Sequence, residues 1–506
     1  MASKSEPVNF LLHPLLFLYQ LIQTIIAYTL SPSPPKSDNE LGRPKIAIIG
    51  AGITGITAAA HCVGHGFDVT IFEAGADEDA VGGIWSRVNE TSGLQIHSIM
   101  YRFHPSVKWE RGYPDRQQII TQVKQLWKRY RLDSKTRFDF HVDKVYQDDK
   151  ARWIINDTSN GRFEGLIAAV GTCGEPKMPH IPGMDKFKGE IYHSSELTGK
   201  DAKGKRWPSS AAAPPPLRRS SLPTRQRPPR SEKWIIPRNI IADTLLSLNI
   251  FGQETRLSFI PEFLLRKLFY RDLEDLSPSG GLFQDTPMVN SDVMDKLRRG
   301  QAEWVRGDIE GFVEGGVKVN RRAKGVPKGG PGHEEVIDAD IVVMATGFQR
   351  PSLSFLPDEC FREPYEPPNW YLQTFPTIHP SVSAINCTYV SAIGSVGNWH
   401  IGIYTRILLM FLSDPLTRPS PFWMERWIDM TKFLKKSSPT GAFDFFTYLE
   451  LVWWFVFCVA INPFRWKWAV FVFFGVGIGL PKAIVRREQK LLNGQGYKIK
   501  DEGVSL

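Results

Sequence analysis

Gly50, Gly52 and Gly55 stand in the pattern G-x-G-x-x-G, and Glu73 follows eighteen residues after the last of them. Those residue types at that spacing can bind a dinucleotide. The first glycine permits a tight turn, the second admits a pyrophosphate to the backbone, and the third lets a helix pack close to a strand. Free amides and the positive dipole end of that helix then face the phosphates. A carboxylate at 73 is placed to accept hydrogen bonds from a ribose, which favours a free 2′-OH and hence FAD or NAD over NADP. A second set, Gly82, Gly83 and Trp85, allows backbone to approach a flat ring system closely. Gly93 to Ser98, which includes Gln95 and His97, leads into the aromatic-rich Tyr101-Arg102-Phe103.

These residues need a frame to hold them. Lys45 to Ile49 reads as a strand, a small-residue helix follows Gly52, and Phe67 to Phe72 reads as a second strand, so the glycines sit at the turn of a βαβ unit. Gln117 to Tyr130 predicts a helix, and Trp153 to Ile155 and Phe163 to Val170 predict strands. The last ends in Val170-Gly171-Thr172, a small-residue crossing back towards the cofactor. Asp338 to Met344 is a buried strand entering Ala345-Thr346-Gly347, and Tyr389 to Gly394 is another, followed from Gly397 by a turn and a helix. Ile240 to Phe269 has helical apolar spacing.

A chain of 506 residues holds two or three domains. Its five cysteines show no C-x-x-C and no regular spacing, which points to a reducing compartment without a disulfide framework or zinc site. The net charge of +9 is local: ten Lys/Arg and one acid, Glu232, lie between Lys203 and Arg238, and the remainder is neutral. That excludes nucleic-acid binding as the reason for the basic balance. Val8 to Leu30 is an apolar stretch of 23 residues, long enough to cross a bilayer, joined by the extended polar linker Ser31–Ser37. Tyr448 to Ile461 and Ala469 to Leu480 are also strongly apolar, with Trp466 and Trp468 beside Arg465 and Lys467 as at a membrane interface. The expectation is a chain associated with a membrane on its cytosolic side.

The stretch Phe187-Lys188-Gly189-Glu190-Ile191-Tyr192-His193-Ser194-Ser195-Glu196-Leu197 resembles the F-x-G-x-x-x-H fingerprint of the flavin-containing monooxygenases and the related Baeyer–Villiger monooxygenases. Gly82-Gly83-Ile84-Trp85 and Met344-Ala345-Thr346-Gly347-Phe348 are similar to two further motifs of that family. Leu197 departs from the Tyr/Phe and Trp endings that separate its two branches, so the motif does not choose between their reactions. The resemblance runs from about Lys45 to about Phe411. It implies an α/β fold in which a Rossmann-like FAD domain (43–195 and 338–440) carries an inserted NADPH domain (196–337), with apolar regions at 1–42 and 441–506. It implies FAD and NADPH as cofactors, O2 as co-substrate, and transfer of one oxygen through a C4a-peroxyflavin to a nitrogen, a sulfur or a ketone carbon of a small molecule. It further implies that Gly171, Gly347 and Gly394 lie against the cofactor and that Arg230 and Lys233 hold the NADPH 2′-phosphate. The helix after Gly397 would point its N-terminus at the flavin pyrimidine edge. Asn290 would lie near nicotinamide or substrate, and His97 takes the place of an Asn close to the flavin. His400 reads first as a satisfied buried histidine.

The resemblance breaks at 207–230. After Lys203-Gly204-Lys205-Arg206 a second strand and glycine fingerprint are expected, but the chain reads Trp207-Pro208-Ser209-Ser210-Ala211-Ala212-Ala213-Pro214-Pro215-Pro216, in which no strand, glycine turn or helix is expected. The Pro/Ser/Arg-rich run to Arg230 reads as disordered. Read one nucleotide earlier, codons for that string can encode Val-Ala-Val-Ile-Gly-Gly-Gly-Ala, the missing strand and turn. A frameshift or displaced splice boundary in the gene explains this; a genuine proline-rich insertion is the alternative. If the chain exists as written, a flavin-binding protein without NADPH turnover becomes the better reading. A disulfide reductase of similar layout needs a close cysteine pair, which is missing, and an amine oxidase would lack the second linker and the histidine motif.

Overall fold

The computed structural model describes residues 14–37, 41–94, 97–98, 101–110, 112–200, 206, 209–211, 259–270, 273, 291–388, 398–436, 446–460, 463–466 and 468–475. Its strands are β1 (Gly42–Ile49), β2 (Phe67–Phe72), β3 (Thr136–Arg137), β4 (Val145–Gln147), β5 (Trp153–Ile155), β6 (Gly165–Ala168), β7 (Glu190–His193), β8 (Ser209–Ala211), β9 (Gly307–Val313), β10 (Gly316–Arg321), β11 (His333–Asp338), β12 (Ile341–Ala345) and β13 (Val382–Ala384). The helices are α1 (Pro14–Leu30), α2 (Ile53–Gly64), α3 (Ile84–Arg87), α4 (Arg116–Arg129), α5 (Phe259–Leu268), α6 (Ser291–Arg298), α7 (His400–Ser413), α8 (Pro421–Lys436), α9 (Phe446–Trp454), α10 (Pro463–Trp466) and α11 (Ala469–Phe474).

The larger sheet is parallel, in the order β13-β6-β1-β2-β3. Its centre is covered on both sides because alternate residues of β1 face opposite ways. Ile46 and Ile48 join one core cluster with α2, α4 and α7, whereas Ala47 and Ile49 join another with Phe72, Trp153, Phe163 and Trp370. Helix α2 is buried throughout, and its run Ala58-Ala59-Ala60 lets it lie close to its neighbours. Helix α4 begins at a capping box, with Asp115 accepting from the Gln118 amide and the Gln118 side chain reaching back to Asp115.

The smaller sheet is also parallel, β7-β12-β8, and the antiparallel meander β9–β11 packs on it through Phe187, Phe312, Val317, Val319, Val342 and Met344. Here the structure corrects two expectations. Asp338 closes β11, and the buried strand starts at Ile341. Ser209–Ala211, within the stretch expected to hold no strand, pairs in parallel with Val343–Ala345. The edge of β12 supplies the ladder, and three small residues ahead of the prolines need only their backbone to accept it. The expected strand Tyr389–Gly394 lies outside the described residues; β13, a little earlier, pairs with β6.

Both apolar ends are tied to the rest of the protein by hydrogen bonds. Tyr130 donates to the Pro32 carbonyl at 2.5 Å and Arg131 to that of Lys36 at 2.6 Å, so the linker 31–37 is tied down along α4. At the other end Arg406 of α7 donates to the carbonyls of Val472 and Phe473, and Trp468 donates to Asp414. Among the described residues no helix is long and apolar enough to cross a membrane. The membrane expectation is therefore unsupported: α1 is 17 residues long with a buried polar position at Gln23, and the C-terminal runs break into short helices.

Candidate cofactor site

The chain leaves β1 at Gly50, whose φ of +102° is one that side-chain-bearing residues avoid. A Cβ on Gly55 would lie 1.9 Å from the Gly50 carbonyl oxygen, so α2 can start this close to β1 only with glycine there. No side chain caps α2 at Gly52, which leaves the amides of its first turn facing the space beyond the turn. Glu73, at the end of β2 and buried, accepts from Ala51 N at 2.6 Å and Gly75 N at 2.8 Å, fixing its carboxylate beside that turn. This bare, positively polarised cradle beside a held carboxylate fits a dinucleotide diphosphate and ribose.

The second glycine set closes on the first. Gly82 N donates to Ala51 O at 3.1 Å, and Gly83 lies against Gly52. Trp85 follows at the start of α3, its indole N–H donating to the Tyr101 hydroxyl at 3.3 Å. Tyr101 is also bonded to Asn398, just before α7, and burial pushes its phenol up to about 12. Arg116 holds the same turn from α4, donating to the carbonyls of Trp85 and Ser86 at 2.8 and 2.7 Å. A second buried chain reaches the start of α7 from α2: Asn386 donates to Thr54 Oγ1 at 3.0 Å and its carbonyl faces His400 Nε2 at 2.6 Å. Burial lowers His400 to about 3, so the ring is neutral and its Nε2–H is the donor to Asn386.

The two linkers between the sheets run side by side. Gly174 N donates to Gln349 O and Gln349 N to Glu175 O, both at 2.8 Å, and Lys177 N donates to Gly347 O at 2.9 Å. His193, fully buried at the end of β7, places Nε2 2.9 Å from the same Gly347 carbonyl and Nδ1 2.7 Å from Ser195 Oγ. Because a carbonyl only accepts, the proton sits on Nε2. The fingerprint histidine thus fastens the end of β7 to the second linker.

With this geometry in place, residues 48–119 match the family model of an NAD(P)-binding Rossmann-like domain. A Baeyer–Villiger monooxygenase of Pseudomonas aeruginosa is 30% identical over 171 residues, 32% of this chain and 32% of that protein. The flavin-containing monooxygenase FMO GS-OX3 of Arabidopsis thaliana is 22% identical over 194 residues, 31% of this chain and 41% of that one. The chain matches about a third of the length of the first of these relatives. A solved steroid monooxygenase bound to NADP superposes with a TM-score of 0.53 at 17% identity, covering 90% of this chain and 98% of that one. The fold is that of the two-dinucleotide flavin monooxygenases.

Within this flavin monooxygenase fold the structure gathers Gly50, Gly52, Gly55, Glu73, Gly82, Gly83 and Trp85 at one turn, and sets Gly171 and Gly347, both at positive φ, in the linkers. His97 lies against Gly112, edge-on to the rings of Tyr19 and Tyr113 at 5.8 and 5.5 Å. Gln95, Arg230, Lys233, Asn290 and Gly394 lie outside the described residues. Sequence reasoning missed Tyr101, Arg116 and Asn386. Asn386 carries a local signal in retrospect, since its φ of +60° is one that Asn tolerates better than most side chains. Arg116 carries none: an arginine in a first helical turn is ordinary.

Proposed function

We propose that this chain is an FAD- and NADPH-dependent monooxygenase that places one oxygen atom of O2 on a nitrogen, sulfur or ketone carbon of a small molecule. The observation that carries this reading is the uncapped α2 cradle, with Gly82-Gly83-Trp85 seated on it and His193 fastened to Gly347. In this reading 43–195 and 338–440 form the FAD domain and 196–337 the NADPH domain. The amides of the first turn of α2, after Gly52, bind the FAD diphosphate, Glu73 the ribose, and Trp85 borders the ring system with Gly171, Gly347 and Gly394. Arg230 and Lys233 hold the NADPH phosphate, Gln95 lies against the cofactor, and His97 and Asn290 line the reacting face. The flavin itself supplies the chemistry, accepting a hydride from NADPH and activating O2; the protein binds, orients and excludes water.

A second reading is favoured by one observation. Ser209–Ala211 fills a strand position of the smaller sheet, yet no glycine turn follows it in the sequence. A chain that binds FAD but lacks NADPH turnover fits that. Addition of NADPH without oxygen separates the two. Rapid loss of flavin absorbance supports the monooxygenase; a flavin that is bleached by dithionite and not by NADPH supports the second reading. Replacing the whole stretch from Trp207 to Arg230 by the sequence of the shifted frame, which begins Val-Ala-Val-Ile-Gly-Gly-Gly-Ala, should then raise the NADPH reduction rate at least about tenfold.

A further inference from the structure

Helix α1 buries the wrong residue for an apolar anchor. Gln23 is 2% exposed, whereas Leu18, Ile25 and Tyr28 are 50%, 52% and 89% exposed. An amide goes inside only where its polar atoms are met. Gln23 Nε2 donates to the Trp109 carbonyl at 2.9 Å, and its Oε1 accepts from Trp109 N at 2.7 Å and Arg102 Nη2 at 2.9 Å. One side chain thus serves both backbone groups of Trp109 and part of a buried guanidinium, which otherwise rests on the carbonyls of Pro105 and Val107. One turn earlier in α1, the Tyr19 hydroxyl bonds Ser98 Oγ and the Tyr19 ring meets His97.

What α1 grips is a loop. The described residues between 97 and 110 form neither helix nor strand, so their backbone groups depend on such partners. The loop reaches the cofactor site: Trp109 Nε1 donates to Tyr101 O at 2.9 Å, and the Tyr101 hydroxyl accepts from Trp85 at 3.3 Å. The tied linker 31–37 keeps α1 near its groove, so docking is intramolecular.

We propose that α1 is a clamp on the loop residues 97–98 and 101–109, with Gln23 the positioning residue that sets Trp109 and Tyr101 and, through Tyr101, holds Trp85 at the flavin site. The link to flavin rests on the function proposed above; the clamp on the loop does not.

The test compares wild type, Gln23→Leu and Tyr19→Phe in the full-length FAD-loaded protein, by hydrogen exchange of the segment 101–109 and by the FAD dissociation constant. Gln23→Leu leaves both backbone groups of Trp109 without their partner. It should speed exchange in 101–109 about tenfold or more and weaken FAD binding to a similar degree, with exchange in β1 and β2 unchanged. Tyr19→Phe, the milder change, should move both readouts in the same direction by about threefold and decides the matter if Gln23→Leu does not fold. A merely structural role would lower the melting temperature without moving FAD affinity. Wild-type exchange in 101–109 would overturn the clamp, and fast exchange with wild-type FAD affinity would overturn its coupling to the site. A wild-type protein that takes up no FAD would instead refute the flavin reading, and the exchange result would still decide the clamp.

Discussion

The two parallel sheets hold their strands by the same ladder and differ in what leaves their strand ends. In the larger sheet β1 passes through Gly50 into α2, whose twelve residues are all buried, and Glu73 returns to the turn from β2. Strand, turn, helix and acid support one another. In the smaller sheet β8 contributes three residues to β12 and leads into Pro214 to Pro216. A ladder can recruit almost any short extended segment, because it uses backbone alone. A phosphate cradle cannot be recruited in that way, because it needs glycine at set positions and a helix that begins there. Strand pairing in the smaller sheet therefore says little about whether a nucleotide binds beside it.

The largest effect should come from breaking the intact turn. Gly55→Ala puts a carbon 1.9 Å from the Gly50 carbonyl oxygen, so α2 must move away from β1. The expected outcome is a stability loss of about 3 kcal/mol and no retained flavin. Urea unfolding and the ratio of flavin to protein absorbance measure the two. A variant that keeps its flavin would show that the close approach of α2 is dispensable.

Acid should separate the sheets next. The half built on the larger sheet buries His61, His65, His104 and His400. Burial, helped in the first three by Arg406, holds His61 and His104 well below their ordinary value; burial takes His65 and His400 to about 3. The unfolded chain takes up these protons near pH 6.5, whereas the folded chain refuses them until much lower pH. Stability is therefore greatest above about pH 6.5 and falls as pH drops from there towards 3, by up to about 1.4 kcal/mol per pH unit for each histidine. Urea midpoints from pH 7.5 to 5, read by flavin release, should fall steadily. His400→Gln should flatten that slope by one histidine's share, since Gln can still donate to Asn386 and does not titrate. A midpoint that does not change over this range would mean the four rings are not held neutral.

Much of the larger sheet was legible because its signals are local. The apolar runs of β1 and β2 and the glycine spacing each act within a few residues. The motif at Gly82 and Gly83 was legible for the same reason. What escaped depends on distant partners. Gln23 is a polar residue inside an apolar run, and Trp109, 86 positions away, and Arg102 explain it. The spanning reading of this stretch found no support for the same reason, since apolar content does not show which face of a helix is already taken. The strand Ser209–Ala211 escaped because its cause is the free edge of β12, and Arg116 because its partners are carbonyls of a turn that has no side-chain pattern.

The smallest effect should come from Arg206, beside the broken stretch. Its guanidinium meets Asp338 at 2.8 Å and Asp340 at 3.3 Å, and these hydrogen bonds, Asp340's first, raise its already high pKa. All three side chains are well exposed, however, and pairs of this kind are screened by water and contribute little. The backbone holds the position independently: Arg206 N donates to Asp340 Oδ2 at 2.7 Å, and Arg206 O accepts from Asp340 N at 2.8 Å and Ile341 N at 3.1 Å. Arg206→Ala should therefore leave the urea midpoint indistinguishable from wild type, while Asp340→Leu, which removes the acceptor for Arg206 N, should lower it. If Arg206→Ala proved as damaging as Asp340→Leu, the ion pairs rather than the backbone would be what keeps the chain beside β12 up to Ser209. The smaller sheet would then depend on charge where the larger one depends on packing.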